Sequence, residues 1–311
     1  MPKVLISDAL SNLANEVFKN HNIEVDTITD LTPSDLKEII YKYDGLVVRS
    51  ATKVTDEIIS SGNKLKIIGR AGAGVDNIDL MSAKKNNVIV MNTPGGNTNA
   101  TAEHTLSLLM SLYRNIPDAN LGTHNGLWEK KKFKGLELKG KNLGIIGFGN
   151  VGERFSEIAI ALGMSVSVYS ESFTARKNNY PNINNLSLND LISQSDIISF
   201  HCKPPKDGKS ILSLNELKLM KRNAVIINTA RGNLINESDL KESLEKGFIR
   251  GAALDVFSEE PAKDNVLFGI KNLILTPHIA ASTIEAQLVV AEQIALQMSN
   301  FFNKNEIVNS V

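Results

Sequence analysis

The chain has 311 residues, more than one ordinary domain of roughly 100–200, so two compact units with separate cores are expected. Its 34 basic and 34 acidic residues cancel, and no basic run exceeds Lys130, Lys131 and Lys132, which excludes nucleic acid as an expected partner. A lone cysteine, Cys202, excludes an internal disulfide, the opening MPKVLISDAL lacks a secretory leader's apolar stretch, and no window approaches the about 18 apolar residues of a membrane span, so a cytoplasmic protein without membrane contact is expected.

The chain opens with an apolar strand, Lys3–Ile6, a helical stretch near 10–20, a second strand, Glu24–Thr27, and a helix beginning after Pro33. Further β-rich pieces at Gly45–Val48, 66–68 and 88–91 each follow a helix-like segment, which predicts one open α/β sheet over the first 95 or so residues. The stretch from Asn92 to Asn97, NTPGGN, is dense in residues that break regular structure and is the candidate hinge. A buried helix is expected over 100–113, with Thr98 or Asn99 as its cap. Strand 143–146, helix 151–162 and strand 166–169 then begin a second α/β unit that alternates to about Leu275. The final helix, 283–301, is long and amphipathic, and one economical arrangement returns it to the first unit. No repeat or low-complexity tract appears, and no metal is expected.

Gly147-Phe148-Gly149-Asn150-Val151-Gly152 is a G-x-G-x-x-G between an apolar strand and a helix, the context that gives this pattern meaning. The first glycine permits a tight turn, the second lets backbone approach a pyrophosphate, and the third allows close packing of helix on strand. A dinucleotide site usually carries Asp or Glu at the end of the next strand, for the adenosine ribose. Here Ser170 stands there and Glu171 follows one residue late, either a ribose ligand or a solvated loop charge. Ser170 also tolerates the 2′-phosphate of NADP, with Arg176 nearby to pair with it, so the expected cofactor is NAD, with NADP open.

A carboxylate substrate needs a planar cation, and hydride exchange with a ketone needs a proton donor that works near neutrality. Arg231 follows the apolar strand 224–227 and His278 follows Leu273–Leu275, so both are expected at the carboxyl edge of a sheet, where open α/β folds bind ligands. Glu260, in EEP, is suited to fix the imidazole tautomer and stabilise its protonated form. Taken singly, these are equally a surface arginine, a turn histidine and a solvated acidic loop.

Together with the glycine loop, Arg231, Glu260 and His278 stand in the order and contexts of the D-isomer-specific 2-hydroxyacid dehydrogenases, and the chain resembles that family over nearly its whole length. The resemblance rests on VVRSATKVT at 47–55, GRAGAGVDNIDL at 69–80, NTPGGNTNATAEHT at 92–105, WEKKKFKGLELKGKNLGIIGFGNVG at 128–152, NTARGNLINE at 228–237, AALDVFSEEP at 252–261 and LTPHIAAST at 275–283. It implies an α/β fold of two domains with a cleft between them: a flavodoxin-like substrate domain, 1–97 plus 284–311, and a Rossmann nucleotide-binding domain, 98–283. It also implies that Arg231 binds the substrate carboxylate and carbonyl, His278 exchanges the proton, and Glu260 is its partner. Asp255 would hold the nicotinamide carboxamide and Asn150 and Val151 the pyrophosphate, while Ala73, Cys202, Thr229, Ala230 and Ala280 would line the cofactor. Arg49, Ser50 and the backbone at Gly74 would meet the substrate, and a homodimer would form through 100–140.

Three departures from the family pattern stand out. Ser170 replaces the acidic ribose ligand, Lys203 occupies a position where proline is common, and with the sequence ending at Val311 no C-terminal regulatory domain is expected. Three readings follow, the first of them favoured. One is oxidation of a phosphorylated 2-hydroxy acid, with Arg49 and Lys130 to Lys132 as candidate phosphate ligands, although the lysines equally suit a solvated or dimer-contact loop. Another is reduction of glyoxylate or hydroxypyruvate, which Ser170 suits with NADPH. The third is a non-catalytic dinucleotide-sensing corepressor, which would have no need of His278 as a proton donor.

Overall fold

A computed structural model describes all residues, Met1–Val311, and the chain divides into two compact units. The first comprises Met1–Asn97 and Ala281–Val311, the second Thr98–Ala280. No helix is long and apolar enough to cross a membrane.

In the first unit, strands β1 (Lys3–Ile6), β2 (Glu24–Thr27), β3 (Gly45–Val48), β4 (Ile67–Arg70) and β5 (Ile89–Asn92) alternate with helices α1 (Leu13–Asn20), α2 (Pro33–Ile39), α3 (Asp56–Ser61) and α4 (Leu80–Lys85). All strand pairs are parallel, in the order β2-β1-β3-β4-β5, the flavodoxin-like arrangement. Because side chains alternate across a strand, Val4, Ile6 and Val47 enter one core while Leu5, Leu46 and Val48 enter the other. Burying each such side chain contributes about 1.5–3 kcal/mol. The C-terminal helix, Ile284–Lys304, is capped by the Thr283 hydroxyl and packs on α1 and β4 through Val290, Ile294 and Met298. Gly69 of β4 makes that approach possible, since a Cβ there would lie 2.4 Å from the Met298 sulfur.

The second unit begins with α5 (Thr98–Tyr113) and α6 (Ile116–His124). Thr98 and Asn99, expected to precede and cap the first of these, lie inside it. Asn99 bonds Glu103 one turn on, at 2.6 Å, and accepts from Arg154 Nε at 3.0 Å. There follow β6 (Asn142–Ile146), α7 (Asn150–Ala161), β7 (Ser165–Tyr169), β8 (Asn184–Asn185), α8 (Leu188–Gln194), β9 (Ile197–Phe200), α9 (Leu214–Leu219), β10 (Val225–Asn228), α10 (Glu237–Glu245), β11 (Gly251–Leu254) and β12 (Leu273–Leu275). The parallel sheet runs β12-β11-β10-β9-β6-β7-β8, a doubly wound Rossmann order whose direction reverses between β6 and β9. Val225 and Ile227 face one core and Ile226 the other, so the uninterrupted apolar run of β10 reflects burial on both faces.

Candidate active site

In the second unit every candidate residue follows the carboxyl end of a strand. Gly147 follows β6, Ser170 β7, Cys202 β9, Thr229 to Arg231 β10, Asp255 β11, and Thr276 to His278 β12. Ligands of open α/β sheets bind at this edge, beside the point where strand order reverses.

The glycine loop divides its labour as its spacing implies. Gly147 has φ +92°, and a Cβ there would lie 2.6 Å from the His201 carbonyl oxygen. At Gly152 a Cβ would come within 2.4 Å of the Gly147 carbonyl oxygen. Gly149 has open space within 4 Å of where its Cβ would be, and it directly precedes α7. Asn150 is exposed and Val151 half-buried at the start of that helix, whose first N–H groups are without intrahelical partners. This cradle fits an anionic pyrophosphate, which can approach bare backbone at Gly149.

His278 Nδ1 and Glu260 Oε2 are 2.6 Å apart, and the other carboxylate oxygen accepts the Phe257 N–H at 3.0 Å. Burial pushes the Glu260 carboxyl up, but the bonds from His278 and the Phe257 N–H outweigh it and hold the group below the ordinary carboxylate value. The carboxylate is therefore ionised at neutrality and fixes Nδ1, leaving Nε2 for a reacting group. His278 has φ +53°, a left-handed conformation that a side chain adopts only when its surroundings impose it.

Asp255 imposes it. Its Oδ1 accepts the Thr276 hydroxyl at 2.5 Å and the Ile279 N–H at 2.9 Å, and Oδ2 accepts the Ala280 N–H at 2.8 Å. These bonds grip the turn on both sides of His278. The resemblance assigned Asp255 to the nicotinamide carboxamide, yet its side chain is fully buried and both oxygens are engaged by the chain itself. Burial pushes its carboxyl up, and the donors from His104, Thr276, Ile279 and Ala280 more than reverse that. His104, with Nε2 3.2 Å from the Thr276 hydroxyl, was missed from the sequence, although the quoted AEHT block contains it.

Arg231 is half-buried and extended, with Nη1 donating to the Ala230 carbonyl at 2.6 Å and its own carbonyl accepting from Asn228 Nδ2 at 2.8 Å. Asn228 Oδ1 also accepts the Ala230 N–H at 3.0 Å, so one buried side chain shapes the turn that presents the guanidinium. Thr229, expected to line the cofactor, has its buried hydroxyl 2.8 Å from that of Thr105 of α5. Ala280 is likewise buried, with its N–H given to Asp255. Burial pushes the Cys202 thiol up to about 11, so it lines its strand end as a neutral group. Lys203 beside it is exposed, and nothing in the structure explains it.

At the end of β7, Ser170 is half-buried and shares a hydrogen bond with Ser172 at 3.0 Å, and Glu171 is exposed. Arg176 does not stand ready for a 2′-phosphate. Its guanidinium is paired with Glu153 and donates to the Phe148 carbonyl at 3.1 Å.

In the first unit, Arg49 and Ser50 follow β3, and Ala73 and Gly74 follow β4, so all four lie at the carboxyl edge of that sheet. Asp8, after β1, organises the edge and was also missed. Its carboxylate accepts the Arg49 N–H at 2.5 Å and the Thr52 hydroxyl at 2.6 Å. Arg49 Nη1 reaches the Ala9 carbonyl at 3.2 Å, Asn77 Nδ2 binds the Arg49 carbonyl at 2.8 Å, and Asn92 Nδ2 binds the Ala73 carbonyl at 2.6 Å.

Residues 106–280 match the family model described as D-isomer specific 2-hydroxyacid dehydrogenase, NAD binding domain. The chain belongs to the D-isomer specific 2-hydroxyacid dehydrogenases. Among its relatives, the D-3-phosphoglycerate dehydrogenase of Synechocystis is 41% identical over 298 residues, covering 96% of this chain and 54% of the relative. The chain thus spans little more than half the length of the curated relatives it matches. The cofactor(NAD+)-bound 3-phosphoglycerate dehydrogenase of Entamoeba histolytica superposes with a TM-score of 0.85 at 30% identity, covering 100% of this chain and 98% of that one. An acyclic imino acid reductase, Bsp5, in complex with NADPH and D-Arg, gives 0.88 at 31% identity over 99% of each chain. The chain therefore shares its fold with proteins bound to either form of the dinucleotide.

Proposed function

We propose that this dehydrogenase oxidises D-3-phosphoglycerate to 3-phosphohydroxypyruvate with NAD, the first step of serine biosynthesis. The observation that carries the reading is the His278–Glu260 pair at 2.6 Å, at the same sheet edge as Arg231 and the glycine cradle. Identity of about 40% to D-3-phosphoglycerate dehydrogenases over nearly the whole chain supports the substrate.

The second unit acts as the nucleotide domain and the first as the substrate domain. Gly147, Gly149, Asn150, Val151 and Gly152 hold the pyrophosphate, and Ser170 and Glu171 meet the adenosine ribose. A bound nicotinamide would supply the hydride acceptor for C2 in oxidation and the hydride donor in reduction. Arg231 grips the substrate carboxylate through its planar fork, which fixes C2 and its oxygen. His278 Nε2 takes the hydroxyl proton as the hydride departs, and the Glu260 carboxylate stabilises the imidazolium that forms. Asp255 keeps the imidazole in place without touching substrate. Arg49 supplies a cation for the phosphate, together with Ser50 and the Gly74 backbone.

The chain acts as a cytoplasmic homodimer in this reading. Ile116, Leu121, Leu127 and Trp128 are each more than half exposed on α6 and the loop after it, with Trp128 at 86%. Such a patch is characteristic of an interface. Lys132 pairs with Glu129 at 3.1 Å within that loop. W128S should shift the protein from dimer to monomer in sedimentation, and a W128S protein that stays dimeric would remove this surface from the interface.

The decisive experiment is a two-by-two assay of 3-phosphoglycerate and glyoxylate substrate pairs with NAD(H) and NADP(H). The reading expects the highest kcat/KM with the phosphorylated substrate and NAD(H). A clear preference for glyoxylate with NADPH would replace it by a reductase of the same fold, which the missing carboxylate at Ser170 would then explain.

A further inference from the structure

Three side chains close around the glycine loop: Glu153 in the first turn of α7, Arg176 in the 3-10 segment Glu171–Asn179, and Tyr180 just after it. Arg176 Nη2 pairs with one oxygen of Glu153 and donates to the Tyr180 hydroxyl at 3.2 Å, while the Tyr180 hydroxyl donates to the other carboxylate oxygen. Nη1 donates to the Phe148 carbonyl at 3.1 Å, so the guanidinium is tied to the loop itself. Its carbon lies 5.5 Å from the Phe148 ring centre and 5.6 Å from that of Tyr180, and those two rings meet edge to face at 5.1 Å. Both Nη2 donors and one at Nη1 are taken up by the cluster, and two rings flank the guanidinium carbon.

The adenosine ribose of a bound dinucleotide sits at the end of β7, beside the glycine loop, and a 2′-phosphate there requires a cation. Ser170 leaves room for that phosphate and supplies no charge against it. Glu171, exposed one residue later, adds a negative charge at the same strand end, and the choice is set further by whether a cation is free to answer the phosphate. We propose that Glu153 and Tyr180 are specificity-determining residues: by holding Arg176 against the glycine loop they withhold it from a 2′-phosphate and make the chain prefer the unphosphorylated dinucleotide. A 2′-phosphate drawing Arg176 to the ribose would have to compete with the Glu153 carboxylate for its guanidinium, and would lie beside that carboxylate. Neutralising Glu153 removes both obstacles. Lys177 is the only other cation of the segment; it is exposed, and the proposal assigns it no part.

This inference rests on the dinucleotide-dependent reading above, and calorimetric titration with NADH and NADPH, without substrate, separates the two. Wild type should bind NADH the more tightly. E153Q should lower the ratio of the NADPH to the NADH dissociation constant by about tenfold, the worth of one charge-assisted contact. Y180F should lower it less, and E153Q/R176A should restore the wild-type ratio. If E153Q does not fold, Y180F must still lower the ratio. An unchanged ratio in folded E153Q, or a gain that survives R176A, overturns the proposal while leaving the dinucleotide reading intact. Wild-type protein that binds neither nucleotide overturns both.

Discussion

Asp255 and His278 never touch, yet the first determines where the second points. The buried carboxylate takes the Thr276 hydroxyl before the histidine and the Ile279 and Ala280 N–H groups after it, so His278 is held at φ +53° with its ring against Glu260. The same strand-end turn therefore carries a rigid anchor and a proton-transfer group, and each can be tested apart from the other.

D255N should destabilise the second unit. An amide cannot accept at both of its ends, so one of the Thr276, Ile279 and Ala280 donors would face a buried donor, a change worth about 2–3 kcal/mol. The sign with pH follows from a carboxyl held below its ordinary value of 3.8 in the folded chain. Its contribution is complete above that value and is lost as pH falls through the lower folded value. Denaturant midpoints should show wild type well above D255N at neutral pH, with the gap closing in acid. Equal midpoints at neutral pH would mean that Asp255 is not the anchor of this turn.

E260Q should leave the fold intact and lower turnover in both directions. The amide still offers a partner to Nδ1 but removes the negative charge that stabilises the imidazolium formed when the proton is taken. A fall in kcat of at least about 10-fold is expected, with NADH affinity unchanged by titration of the same preparation. Wild-type turnover by E260Q would reduce Glu260 to a structural role.

R231K keeps the charge and loses the fork. Lysine offers a single point of attachment, so the carboxylate can swivel and C2 leaves the near-contact that hydride transfer requires. A fall in kcat/KM of about 100-fold is expected, with NADH affinity measured by titration unchanged. Wild-type behaviour toward every 2-keto acid tested would send the search for the gripping cation to Arg49.

The fold was legible from the sequence because both sheets are parallel and buried on two faces, which makes β3 and the first three residues of β10 uninterrupted apolar runs. The glycine spacing and the strand-end positions of Arg231 and His278 were legible for the same reason, since a strand followed by a chemically distinctive residue fixes a place in space. What side chains do after leaving the strand was not. Thr229 and Asp255 lie at the ligand edge in sequence terms, yet the structure turns both inward, to Thr105 and to the 276–280 turn. Arg176 read as an available cation because its partner Glu153 is 23 residues away and belongs to another element. Asp8 and His104 escaped notice because their hydrogen-bond partners are 41 to 172 residues distant, beyond any local pattern.

The most direct test of the proposed chemistry is H278A, assayed for turnover of 3-phosphohydroxypyruvate and for NADH affinity on the same preparation. A positioned acid–base group contributes about 10²–10⁴-fold and does not touch the pyrophosphate cradle. Turnover should therefore fall by that range while the NADH dissociation constant stays within a few-fold of wild type. Turnover within a few-fold of wild type would contradict the account, because the proton would then be moving through a group other than His278.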